Sequence, residues 1–171
     1  MKEHKGMRPQ DVVILLKIIA LNGEGWYNKD VAGQLGLSNS EVSESLNRSR
    51  IGGLIEDDKR VVRKEKLVEF LVYGLKHVFP AIPGQLLRGM PTAYSAPVLN
   101  GGFVVDHPHV WPAKGYSTKG VSINPLYDTV PAACDEDSEL YDLLALTDAL
   151  RIGERNEYVV KLLTKKIYGI E

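Results

Sequence analysis

Residues 35–57 read LGLSNSEVSESLNRSRIGGLIED, and this stretch decides the fold of the N-terminal part of the chain. Residues 38–41 have the form of a capping box, in which a serine and a glutamate satisfy the first free N–H groups of a helix. The pattern that follows predicts a helix over about residues 40–51. Gly53 suits the position just after such a helix, where a left-handed backbone is common.

Two further elements flank this predicted helix. Upstream, Asn28 is placed to cap a shorter helix that ends at Gly36. Downstream, residues 54–56 and 60–62 are predicted to form two short strands joined by a tight turn. A helix, a three-residue turn, a second helix and a hairpin, in this order, are typical of a winged helix-turn-helix.

The same segment resembles the recognition region of MarR-type winged-helix transcriptional regulators. The residues that carry the resemblance are Leu35, Gly36, Leu37, Ser38, Ser40, Val42, Ser43, Leu46, Gly53, Leu54 and Ile55. The resemblance covers about residues 9–64, a third of the 171 residues. It implies a bacterial-type transcriptional regulator, a repressor, that binds a palindrome in double-stranded DNA as a homodimer.

A recognition helix seats its apolar face on the other helices and turns short polar and basic side chains toward the DNA. The predicted DNA-binding residues on and before this helix are Ser38, Asn39, Ser40, Ser43, Glu44, Asn47, Arg48 and Arg50. Those in and beside the wing, residues 55–62, are Lys59, Arg60 and Arg63. Within this set, Glu44 and Arg48 are expected on one exposed face.

Glu44 leaves two functions open. A glutamate can accept a hydrogen bond from cytosine N4 and so read sequence, but it also repels phosphates. A continuous positive surface that includes Arg48, Arg50 and the wing favours DNA binding. Acidic residues that interrupt this surface favour the alternative, a protein-interaction module of antitoxin-like or adaptor type that holds a partner through residues 79–131.

Residues 11–21, DVVILLKIIAL, contain only two polar side chains, Asp11 and Lys17, so the predicted helix is apolar nearly all round. Such a helix is either packed within the fold or buried against a second subunit. The predicted homodimer is therefore expected to use this helix, the C-terminal helices or both. A fourth helix is predicted over about residues 64–78, and Pro80 ends it.

Residues 79–131, the middle zone, differ in composition from the rest of the chain. They contain eight of the nine prolines and six of the thirteen aromatic residues, but only five charged residues. Disordered linkers are usually charged and poor in aromatics. We therefore expect an ordered but irregular segment, packed along the fourth and the C-terminal helices, with extended pieces near residues 102–105 and 120–123.

Three aromatic residues of the middle zone are predicted to border a binding site. Tyr94, Trp111 and Tyr116 offer large contact areas with polar tips. The ligand expected there is a protein partner or a small-molecule effector. The alternative is that these side chains only complete the core.

The sequence supports neither a metal site nor a nucleophile. His107 and His109 are spaced for chelation, but Pro108 restricts them and no third ligand is spaced to join them. They are expected to be exposed loop histidines. Cys134 has no neighbouring base and is expected to be a buried or half-buried structural thiol. No catalytic residue, metal or cofactor is predicted, and the protein is not expected to be an enzyme.

The expected fold class is α+β, mainly α with a small β component. A winged helix-turn-helix domain over residues 1–78 precedes an irregular, proline-rich, helix-backed extension over residues 79–171. Helices are predicted in this extension over about residues 140–150 and 154–167. No apolar run reaches the length of a membrane span, so no membrane partner is expected. The single cysteine excludes an intrachain disulfide and favours a cytoplasmic location.

Overall fold

The computed structural model describes residues 5–99 and 102–170 and has an α+β fold. The helices are α1 (Pro9–Ala20), α2 (Asn28–Leu35), α3 (Asn39–Ile51), α4 (Lys64–Glu69), α5 (Leu75–Val78), α6 (Val130–Asp135), α7 (Ser138–Arg151) and α8 (Glu157–Tyr168). The strands are β1 (Leu86–Pro91), β2 (His109–Pro112) and β3 (Lys119–Ser122). A π-helical segment, Phe70–Gly74, joins α4 to α5, so the predicted fourth helix is confirmed as one continuous element.

Helix α1 is packed within the fold. Residues 11–18 are all buried, including the polar side chains of Asp11 and Lys17. The helix contacts α2, α3, α7 and α8. Lys17 tolerates this burial because its Nζ lies 2.6 Å from Oδ2 of Asp137, just before α7. The prediction that this helix packs within the fold is therefore correct. Residues 11–18 offer no free apolar face to a second subunit.

Helices α2 and α3 are separated by three residues, as predicted. Gly36 ends α2 with a φ angle of +65°, a left-handed conformation that glycine adopts without steric cost. The capping box of α3 is confirmed. The Ser38 N–H donates to Glu41 Oε2 at 2.8 Å, and the Glu41 N–H donates to Ser38 Oγ at 3.2 Å.

The chain reverses after α3 as predicted, but residues 54–56 and 60–62 form a single bridge rather than two strands, and the predicted cap of α2 is wrong. Ile55 and Val62 form the antiparallel bridge that closes the hairpin. Asn28 lies inside α2 rather than before it. The capping residue is Tyr27, whose N–H donates to Asp30 Oδ2 at 2.9 Å.

The middle zone contains a small three-stranded mixed sheet. Strand β1 runs antiparallel to β2 and to β3, and β2 runs parallel to β3. The extended piece predicted near residues 120–123 corresponds to β3, but residues 102–105 form no strand. Strands β1 and β2 were not predicted. Both contain proline, which usually argues against a strand interior.

The middle zone packs against α7, as predicted for the C-terminal helices. Two short 3₁₀ turns, Ala93–Ser95 and Pro97–Leu99, contact this helix. Tyr141 of α7 donates its hydroxyl to the carbonyl of Pro91 at 2.6 Å. The zone is thus tied to the helices by side-chain bonds as well as by apolar contact.

Asp148 of α7 is the buried polar centre of this packing. It is 1% exposed and accepts hydrogen bonds from Trp111 Nε1 at 2.5 Å and from Thr92 Oγ1 at 3.1 Å. Its other oxygen lies 2.7 Å from Arg151 Nη1, and Arg151 Nε donates to the carbonyl of Phe79 at 2.9 Å. Because a buried charge is tolerated only when it is paired and hydrogen-bonded, these contacts hold the middle zone on α7.

The C-terminal helices are present but differ from prediction at their ends. Helix α7 begins at Ser138 and α8 at Glu157, while α6 was not predicted. One hydrophobic cluster contains side chains from both predicted domains, for example Leu71 and Leu144. Among residues 5–99 and 102–170, no helix is both long and apolar enough to cross a membrane.

Candidate nucleic-acid interface

Helix α3 presents a polar face to solvent. Ser38 and Asn39 at its start, together with Ser40, Ser43 and Glu44 in its first turns, are exposed. Farther along the helix, Asn47 and Arg50 are half-buried, and Arg50 Nη2 donates to Asn47 Oδ1 at 3.3 Å. These seven predicted DNA-binding residues therefore lie at the surface of one helix.

The hairpin places its basic residues in different surroundings. The guanidinium of Arg60 lies over the Trp26 ring, 4.8 Å from its centre, and donates to the Trp26 carbonyl at 3.1 Å. Arg63 is paired with Glu56 at 2.8 Å, and this pair raises the pKa of the Arg63 guanidinium. Lys59 lies at the turn, with a φ angle of +57°.

The tip of the hairpin meets α3 at a hollow of about 110 Å³. The residues around it come from α2, α3 and the hairpin, and they are Asn28, Ser43, Leu46, Asp58, Lys59 and Arg60. The exposed start of α3 and two of the predicted wing residues thus form one continuous surface. The sequence placed these residues in separate elements and did not show that they meet.

Arg48 does not face solvent, so its predicted position is wrong. Its side chain is 12% exposed and forms a bidentate ion pair with Asp11 of α1, with Nη2–Oδ1 and Nε–Oδ2 distances of 2.7 and 2.9 Å. The hydrogen bonds that Arg48 donates to Asp11 raise the pKa of its guanidinium. Asp11 was not recognised as a partner from sequence, although a lone aspartate in an apolar run signals a buried counter-ion.

Acidic residues interrupt the basic surface. Glu44 is exposed on α3, and the hairpin carries Glu56, Asp57 and Asp58. Glu41 is engaged as the acid of the capping box of α3, and the bonds from the Ser38 backbone N–H and hydroxyl lower its pKa. Because Arg48 is paired with Asp11 and Arg63 with Glu56, the predicted basic surface is interrupted by ion pairs.

The three aromatic residues predicted to border a binding site do not share one. Trp111 is 1% exposed and bonded to Asp148, so it belongs to the core, and its predicted role is wrong. Tyr94 is half-buried, with its ring centre 4.8 Å from that of Phe103. Tyr116 donates its hydroxyl to Asp135. Burial is the largest cause of the raised pKa of Tyr116.

His109 and Cys134 are both shielded from solvent by the fold, His109 partly and Cys134 almost completely. His109 lies in β2 and is half-buried rather than an exposed loop residue, and burial lowers its pKa. Its Nδ1 is buried without a hydrogen-bond partner among the described residues. Cys134 is buried, as predicted, and burial raises its pKa. In the described part of the chain, no three His, Cys, Asp or Glu side chains are grouped to hold a metal ion.

Comparisons of this chain with protein-family models, with curated proteins and with solved structures found no match. The geometry of α3 and the hairpin is therefore the basis for the proposal of function. Its main elements are an exposed polar helix face, a capped helix start and a hairpin tip that meets that face.

Proposed function

We propose that residues 9–64 form a winged helix-turn-helix and that the protein is a DNA-binding transcriptional regulator, a repressor, which acts in the cytoplasm. The observation that carries this proposal is the shared surface of α3 and the hairpin tip, where Ser43, Lys59 and Arg60 surround one hollow. A helix that follows another after a three-residue turn and is flanked by a hairpin suits insertion into a major groove.

The proposed contacts follow from the position of each residue along α3. Ser38 and Asn39 lie at the start of α3, the end of the helix that attracts a phosphate. Ser43 and Asn47, which lie four residues apart, are placed to reach base edges. In the hairpin, Arg60 is suited to a phosphate because its guanidinium is held by Trp26.

The acidic residues shape the proposed mode of binding. Of the five predicted cations of α3 and the hairpin, Arg48 and Arg63 are ion-paired, so the sequence-independent part of the affinity is expected to be small. Glu44 disfavours phosphates but accepts a hydrogen bond from cytosine N4. We therefore propose a protein that depends on base contacts for much of its affinity and has a shallow dependence on salt.

Capture of genomic DNA fragments by the purified protein, followed by anisotropy titrations of the best site, tests the proposal. Combined substitution Arg50→Ala and Lys59→Ala should weaken binding to this site about tenfold or more, because a base or phosphate contact is lost at each position. Arg155→Ala is the matched control, since this exposed arginine lies over Tyr73, outside α3 and the hairpin. The proposal is contradicted if both variants lose the same affinity for the best site. It is also contradicted if the protein binds no genomic site more tightly than random DNA.

A second function, binding of a protein partner or small-molecule effector through the middle zone, is favoured by the acidic residues that interrupt the basic surface. Of the three aromatic residues predicted to border this binding site, Tyr94 and Tyr116 are partly exposed. Pull-down from the native host should lose the partner with Tyr94→Ala, while Tyr73→Ala retains it. A protein that binds DNA fragments specifically but captures no partner argues against this function.

We also propose that the regulator is a homodimer, as a palindromic site requires. Because residues 11–18 are buried within the chain, the dimer contact is assigned to the C-terminal helices. Exposed Tyr158 and Tyr168 lie on α8, and exposed Ile170 follows it. Light scattering at tens of micromolar protein should give twice the chain mass, and a monomer mass contradicts the dimer.

A further inference from the structure

We infer that the Asp11–Arg48 ion pair sets the rotation of α3 about its own axis, and that Arg48 is a positioning residue for the DNA contacts. The ion pair was not anticipated from sequence, where Arg48 was assigned to the DNA surface itself. The functional consequence rests on the proposed function, whereas the claim about the orientation of α3 does not.

The carboxylate of Asp11 is fully used by groups from two helices. Oδ2 accepts from Arg48 Nε at 2.9 Å and from the backbone N–H of Arg8 at 2.9 Å, and Oδ1 accepts from Arg48 Nη2 at 2.7 Å. Asp11 is 0% exposed. The same side chain therefore caps α1 and joins it to α3, so the start of one helix is fixed relative to the other.

The remaining inward side chains of α3 specify its rotation weakly. Val42 and Leu46 are apolar and buried, but the other two inward residues are Ser45 and Ser49. Both serine hydroxyls are buried without a hydrogen-bond partner among the described residues. Because Ser45 and Ser49 are small and their hydroxyls make no directed bond within the described part of the chain, they resist a small rotation of α3 less than larger or hydrogen-bonded side chains would.

The bidentate pair of Arg48 and Asp11 fixes the rotation of α3 that its other inward side chains specify only weakly. Its two parallel hydrogen bonds define a plane as well as a distance, which a lysine or an apolar contact does not. A buried pair adds little stability compared with well-packed apolar residues, and a role in selecting one arrangement is its best-attested use. Because base contacts require side chains to be placed within a fraction of an ångström, a small rotation of α3 displaces Ser43 and Asn47 from their targets.

The test separates orientation from stability. Combined substitution Asp11→Leu and Arg48→Met replaces the pair with apolar side chains, so the unfolding temperature should fall only by the small amount that loss of the Asp11 bond to the Arg8 N–H causes. Residual dipolar couplings of the α3 amides should show that this helix no longer holds one orientation relative to α1. The ratio of affinities for the best genomic site and a scrambled duplex should fall about tenfold or more.

Lys17→Met is the matched control, because it removes a different ion pair of α1, which joins α1 to the start of α7 rather than to α3. It should retain both the α3 couplings and the affinity ratio. Arg48→Lys keeps the charge but not the two parallel bonds, and it should lower the affinity ratio even if the double variant does not fold.

The inference is overturned if the residual dipolar couplings of α3 in the double variant and in Arg48→Lys equal those of the wild-type protein. It is also overturned if Lys17→Met changes the couplings and the affinity ratio as much as these variants do. If the wild-type protein prefers no duplex, the proposed function fails, but the couplings still decide whether the ion pair orients α3. A lowered affinity ratio with the couplings of α3 unchanged also contradicts the inference, because the loss then has another origin.

Discussion

The starts of the N-terminal helices and the strands and turns of the middle zone are specified over very different distances along the chain. In residues 9–64, each of the helices α1, α2 and α3 begins with a hydrogen bond between groups three residues apart. In the middle zone, the decisive bonds join residues 37, 56 and 72 positions apart, because Trp111, Thr92 and Phe79 all bond to α7. Neighbouring residues specify where the helices of the first region begin. The middle zone is instead held by bonds to α7, a helix that follows it in the chain.

The largest expected effect tests this dependence at Asp148. Substitution Asp148→Ala removes the acceptor of Trp111 and Thr92 and leaves the buried Arg151 unpaired. The free energy of unfolding should fall by about 3–5 kcal/mol. With Trp26 replaced by Phe, Trp111 is the remaining tryptophan and its fluorescence reports the middle zone during urea unfolding.

Asp142→Ala is the control for this prediction, since Asp142 lies on the same helix and pairs with Lys166 near the surface, at 2.8 Å. It should cost less than about 1 kcal/mol. Similar losses in the two variants would show that the buried network does not hold the zone, and the contrast between the two regions would then be wrong.

A pair of glycines provides a second test of the same contrast. A Cβ added to Gly89 in β1 lies 1.9 Å from the carbonyl oxygen of Trp111, whereas one added to Gly33 in α2 meets nothing within 4 Å. Gly89→Ala should therefore separate β1 from β2 and cost about 3 kcal/mol. Gly33→Ala should stabilise α2 by about 0.5–1 kcal/mol. Urea unfolding measures both, and a stable Gly89→Ala protein would refute the close approach of the strands.

The same contrast explains how much of the fold the sequence predicted. The main helices and the capping box of α3 follow from patterns within a few residues, and the structure contains them, whereas the predicted hairpin is reduced to a single bridge. Strands β1 and β2 depend on pairing between distant segments that contain proline. The local pattern carries no sign of that pairing, so the order of the middle zone was predicted from composition but its sheet was not.

The candidate site was predicted only where exposure follows from helical spacing. Ser43 and Asn47 face outward as their positions along α3 require. Arg48 was misplaced because spacing cannot reveal that Asp11, 37 residues earlier, lies within bonding distance. Trp111 was misplaced for the same reason, since its partner Asp148 is also distant in sequence.

The smallest expected effect concerns the local cap of α3 and depends on pH. Hydrogen bonds from Ser38 lower the pKa of Glu41 below its ordinary value of 4.5. A carboxyl whose pKa is lower in the folded than in the unfolded protein stabilises the fold above its unfolded pKa, and this contribution is lost as the pH falls through the folded pKa. Glu41→Gln keeps a capping acceptor without the charge. At neutral pH the wild-type protein should have a higher free energy of unfolding than Glu41→Gln. This difference should disappear as the pH falls below 4.5. A difference that is constant with pH would mean that the Glu41 charge does not stabilise the start of α3, and the nuclear magnetic resonance titration of the Glu41 carboxyl should then show an ordinary pKa.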